Sequence, residues 1–192
     1  MTPDQREIPS RFAAALTSLR RPRLRPEVTL HEVPGPGRIA PWSAALEAEV
    51  SVGGLELATG RFVVLHDPAG QETWRGDFRV VTLVRASLEP EMVDDPMLAE
   101  VAWSWVTETV EQAGVDVVAL GGTVTRVLSN SFGALDGTPD AVDLELRASW
   151  TPTDTALGTH LHMWADLMAT AGGLPPLPEG VTALGPRRSG LR

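Results

Sequence analysis

The sequence predicts an α+β fold: an antiparallel sheet of about five to six strands, two main helices packed on one of its faces, and a short N-terminal helix. Three observations carry this. The segments run helix, four strands, helix, two strands, helix, and strands joined by short turns pair antiparallel. Gly53-Gly54 separates two alternating runs, which is the two-residue hairpin signal. Residues 142–150 alternate without a break, with Val142, Leu144, Leu146, Ala148 and Trp150 apolar and Asp143, Glu145, Arg147 and Ser149 polar.

Phe12, Ala15, Leu16 and Leu19 recur at helical spacing behind Ser10, so residues 10–20 form the first helix, ended by Arg-Arg-Pro. Residues 27–33 read as a strand closed by Pro34-Gly35-Pro36-Gly37. Residues 45–52 pair with 55–65, Gly60 marks a bulge, and residues 67–76 make a polar loop. Phe78 to Leu88 returns as a strand whose run Val80-Val81-Thr82-Leu83-Val84 reads as covered on both faces.

Asp95 is the expected cap of a helix that has Pro96 at its first position and ends at Gly114. Helical spacing puts Met97, Leu98, Val101, Ala102, Trp105, Val106 and Ala113 on its buried face. Residues 124–129 are the next strand, followed by the 142–150 strand after an Asp136-Gly137 turn. The last helix covers 154–171, with Leu157, Leu161, Trp164, Met168 and Ala171 inward and Gly172-Gly173 as its stop. Residues 1–173 are read as one domain, and the Pro-, Gly- and Arg-rich tail 174–192 as extended or disordered.

Composition excludes more chemistry than it suggests. The chain has no Lys and no Cys, so it has no Walker A lysine, Schiff-base lysine, thiolate nucleophile or Cys-bound metal. No cofactor and no structural metal ion are expected. No run approaches the roughly 18 apolar residues of a membrane span, and the N-terminus lacks a signal-peptide pattern, so a cytoplasmic location without membrane attachment is expected. The net charge of −9 is uneven: residues 1–25 hold six Arg against two acids, while the central body holds 7 Arg against 23 acids. An acidic body with basic ends is a poor nucleic-acid footprint, and nucleic acid is not an expected partner.

RFVVLHDPAGQETWRGDFRVVTLVRASLEPEM, then DPMLAEVAWSW and GGTVTRVLSNSFG, resemble the signature stretches of an uncharacterised actinobacterial family of unknown function over about residues 5–180. The resemblance implies no activity, cofactor or catalytic residue. It brings one contextual hint, a gene position beside a ribonuclease D-like exonuclease.

Two groups of residues stand out as candidate sites. His66, Asp67, Trp74, Arg75 and Asp77 share one polar segment, where a histidine–carboxylate pair, an anion clamp and a stacking wall could hold a small ligand; the competing reading is turn chemistry with Trp74 folded back on the sheet. Trp42 and Trp103, with Arg20, Arg21, Arg23 and Arg25, are candidates for a protein interface, against core lids and a solvated basic tail.

Other patterns carry less. His160 and His162 project about 200° apart on a helix and cannot share an ion, so His160 reads as a partly buried, satisfied histidine. Glu89, Glu91, Asp94 and Asp95 precede a helix and read as capping charge. Ser131 lacks the first glycine of a nucleophile elbow, and Pro175–Pro178 has PxxP form.

The functional expectation is a non-enzymatic binding or adaptor protein, paired with an unidentified protein or with itself through a sheet edge, an exposed Trp or the basic ends. The alternatives are a small-molecule-binding domain or enzyme using residues 66–77, and an accessory factor in RNA metabolism.

Overall fold

A computed structural model describes residues 7–20, 24–88, 92, 95–137 and 141–176. The elements are α1 (Ser10–Leu19), β1 (Val28–Val33), β2 (Trp42–Val52), β3 (Leu55–Gln71), β4 (Gly76–Leu88), α2 (Leu98–Ala113), β5 (Val117–Ser129), β6 (Ala141–Pro152) and α3 (Leu157–Ala171). The six strands make one sheet in the order β1-β2-β3-β4-β6-β5, every neighbouring pair antiparallel. This is the expected α+β architecture.

The β2–β3 turn is the Gly53-Gly54 pair, both at positive φ (60° and 85°), a conformation glycine adopts without steric cost. The register slips between Val50 and Ser51, which makes Leu57 the bulged residue. Gly60, expected as the bulge, sits in regular register opposite Ala48 and Val84. Its lack of a side chain serves packing instead, because a Cβ there would come within 2.7 Å of Trp164 and 2.9 Å of Met168 Sδ on α3.

All three helices lie on the face of Gly60, Phe62, Val84, Leu146 and Trp150. Phe62 meets Trp164 of α3 at 5.6 Å between ring centroids, and Trp103 of α2 lies over Gly122 of β5. α3 is buried on almost every side, since the sheet lies beneath it and α1 and α2 flank it. Ser18 Oγ of α1 accepts the Gly158 N–H of α3 at 3.2 Å.

Four expectations are corrected here. β4 is covered on one face only: Val80, Thr82 and Val84 are buried, whereas Val81 is 38% exposed. Its other face carries a charged ladder in which Glu145 bonds Arg85 (2.8 Å) and Arg147 (2.6 Å) and Arg61 pairs with Glu47 (3.6 Å). α2 begins at Leu98, not Pro96: residues 96–97 form a turn closed by the Leu98 N–H on the Asp95 carbonyl at 3.3 Å, and the Asp95 carboxylate accepts the Met97 N–H at 2.8 Å.

The buried face of α2 is also rotated from the expected one. Leu98, Ala102 and Val106 are buried and Trp103 and Val110 pack on the core, while Met97 and Val101 are 54% and 41% exposed and Trp105 is half-buried. Finally, β5 starts seven residues before Val124. Its first part contains a register break between Val118 and Gly121 and Ala119 at φ 53°, an irregularity that hides the period-two pattern.

Candidate functional site

Residues 66–77 are the end of β3, a tight turn over 72–75 and the start of β4, so the expected polar loop is mostly hairpin. His66 is 1% exposed, its ring stacked between Phe12 of α1 (5.7 Å between centroids, planes 4° apart) and Phe78 of β4 (4.3 Å). Its Nδ1 lies 2.9 Å from the Asp77 carbonyl, which requires Nδ1–H to donate and leaves Nε2 without a protein partner. The Asp77 carboxylate is 3.2 Å from Arg11 Nε, and the Arg11 guanidinium lies over the Phe78 ring. The group His66, Asp77, Arg11 and Phe78 therefore ties α1 to the sheet.

The other members of that candidate set are used locally. Asp67 Oδ1 accepts the Ala69 N–H and Oδ2 accepts from the Gln71 amide. The Trp74 carbonyl accepts from Thr151 Oγ1, and Trp74 is half-buried. Arg75 is exposed at the turn with φ 60°.

The interface set is divided as well. Trp42, which lies before the strand predicted at 45–52, opens β2, and its ring lies 6.2 Å from Phe12. Trp103 is half-buried under α2. Arg20 is exposed, but Arg25, expected in an exposed cluster, is buried: its guanidinium donates to the Pro175 carbonyl at 2.8 Å and pairs with Glu27 at 3.4 Å. A buried arginine is tolerable because those partners take its donors. Arg21 and Arg23 lie outside the described residues, as do Glu89, Glu91 and Asp94.

His160 is 2% exposed and its Nδ1 accepts the Trp150 indole N–H at 3.1 Å. Burial holds its pKa below the ordinary histidine value, Asp154 pulling weakly the other way. His162 is half-exposed and meets Asp166, whose carboxyl is pushed up by burial more than His162 and Arg25 pull it down.

The helix-free face bears two shallow grooves of about 390 and 420 Å³ that share Thr59 and Arg85. Glu47, Glu49, Glu56, Asp143 and Glu145 line them with Arg61 and Arg85. Arg85, and then Arg147, hold Glu145 below the usual carboxylate range. Among the described residues no three His, Asp or Glu side chains gather as a metal site, and no helix is long and apolar enough to cross a membrane.

The two sheet edges differ in kind. β1 is six residues long, is flanked by Pro26 and Pro34 and carries His31 and Glu32, the devices that protect an edge from pairing. β5 is thirteen residues long, with Arg126 as its one charge and no proline. Val127 and Leu128 on it are 43% and 54% exposed, and Phe132 just beyond is 81% exposed. Sequence reading passed over these residues, although one signal was present: residues 117–135 contain no acid in a chain with 25.

No curated protein and no solved structure gives a significant match to this chain. One family model matches residues 8–182, and by that match the chain belongs to the DUF3000 family, proteins of unknown function.

Proposed function

We propose that this chain is a non-catalytic binding protein that engages its partner by adding a strand to the free edge of β5. The observation that carries this reading is the contrast between the guarded edge at β1 and the long, nearly uncharged edge at β5 with exposed Val127 and Leu128. Strand addition supplies affinity through main-chain hydrogen bonds and specificity through alternate side chains, and needs no reactive group. The fixed internal roles of His66, Asp77 and His160 support a binding function over a catalytic one.

The test is co-purification from the native host with tagged wild-type protein, a Val127→Lys/Leu128→Lys chain and a Thr29→Lys chain altered on β1. All three sites are exposed, so melting temperatures should agree within a few degrees. The wild-type and β1 chains should retain the same proteins, and the β5 chain should lose them. Equal retention by the β5 chain would sink the reading.

A further inference from the structure

We infer that the strand added to β5 is the β5 of a second copy, so that two sheets join across a twofold axis into one twelve-stranded sheet. This rests on the reading that the outer edge of β5 accepts a strand. Three observations select a second copy as the occupant.

The first is area. Three of the ten large apolar side chains that stand exposed among the described residues lie on β5 or just beyond it: Leu128, opposite Val142 on the helix-bearing face, Val127, opposite Asp143 on the charged face, and Phe132. Arg126 of β5 donates to the Asp95 carbonyl at 3.0 Å. Strand pairing covers apolar area on both faces of the sheet at once, Leu128 on one and Val127 on the other.

The second is charge. Copies carrying −9 each repel one another, and an approach that sets carboxylates face to face is unfavourable. The acid-free run of residues 117–135 lets the two approach along β5 without opposing acids.

The third is register. In a continuous antiparallel sheet, residues directly opposite share a face, so a twofold axis must fall on a residue position. An axis at Arg126 would oppose two guanidinium groups. An axis at Val127 opposes Val127 to Val127, Thr125 to Ser129 and the Arg126 stem to Leu128, which are favourable cross-strand classes.

The chain has no cysteine, so a single introduced thiol reports on one position. Sedimentation of the full-length wild type should give a dimer, and Val127→Lys/Leu128→Lys a monomer that keeps the wild-type circular dichroism spectrum and melts at a temperature independent of protein concentration. Under mild oxidation Val127→Cys should form a disulfide-linked dimer, whereas Thr29→Cys on β1 should not. A monomeric wild type, a dimer indifferent to the two lysines, or a Val127→Cys chain that stays uncrosslinked overturns self-pairing. A monomer whose co-purifying proteins still vanish with the lysine pair overturns self-pairing alone, and strand addition stands with a foreign strand as the occupant.

Discussion

At the scale of single residues, two glycines and one histidine show how tightly side chains are committed to packing. A Cβ on Gly60 would lie 2.6 Å from the Leu83 carbonyl and 2.7 Å from Trp164, and one on Gly122 would collide with the Arg147 carbonyl backbone and Trp103. Backbone cannot rotate away as a long side chain can, so Gly60→Ala and Gly122→Ala should each destabilise by ~1–3 kcal/mol in urea unfolding. A change within about 0.5 kcal/mol at either position would show that the helices do not sit this close. His160 makes a different prediction. Its pKa is lowered in the folded chain, so below about pH 6.5 the unfolded chain takes up a proton before the folded one does. The contribution of His160 is thus fully present above that pH and is lost as pH falls toward the depressed folded value. Melting temperature should fall over this window in the wild type and less steeply in His160→Gln; equal slopes would reject the assignment.

At the scale of elements, the irregular start of β5 depends on a residue from another strand. Arg79 of β4 donates to the Ala119 carbonyl at 2.9 Å and to Thr151 Oγ1 and Ser149 Oγ of β6 at 3.3 and 2.6 Å. Ala119 holds φ 53°, which an alanine keeps only when its surroundings fix it. Arg79→Met removes those donors and should cost ~1–3 kcal/mol. Amide exchange should quicken at Val118–Gly122 while residues 123–128 stay protected; uniform exchange along β5 would contradict this local role. The rotation of α2 belongs to the same scale. Its sequence offers apolar residues on more than one stripe, and contact with α3 and β5 selects Leu98, Ala102 and Val106. Met97 and Val101 are left outward.

At the scale of the whole molecule, the sheet divides the protein into a helix-bearing side and a charged side, and its order leaves β1 and β5 as edges. Arg25 joins distant parts of the chain, linking the segment after α1 to Glu27 before β1 and to Pro175 beyond α3. The charged side carries the ion pairs of Glu145 and Glu47 beside Glu49, Glu56 and Asp143, so it stays acidic, and the acid-poor edge is left as the strip where another strand meets least repulsion. The dimer and co-purification tests belong to this scale, because neither edge has a meaning until the full strand order is known.

The sequence alone determined the α+β class, the Gly53-Gly54 hairpin, the inward set of β6 and the main faces of α1 and α3, because each rests on local periodicity or turn chemistry within one element. It also indicated that His160 is partly buried and satisfied, and the structure buries it fully, with its Nδ1 accepting the Trp150 indole N–H. Tertiary structure decided the rest. Whether Val81 faces solvent depends on what covers β4, and Arg25 is buried because Pro175, 150 residues away, supplies an acceptor. The beginning of β5 was hidden because two glycines and a register break erase its alternation, while pairing with β6 and the Arg79 bonds restore it as strand. That β1 and β5 are edges is a property of strand order, which long-range pairing fixes and no local pattern encodes.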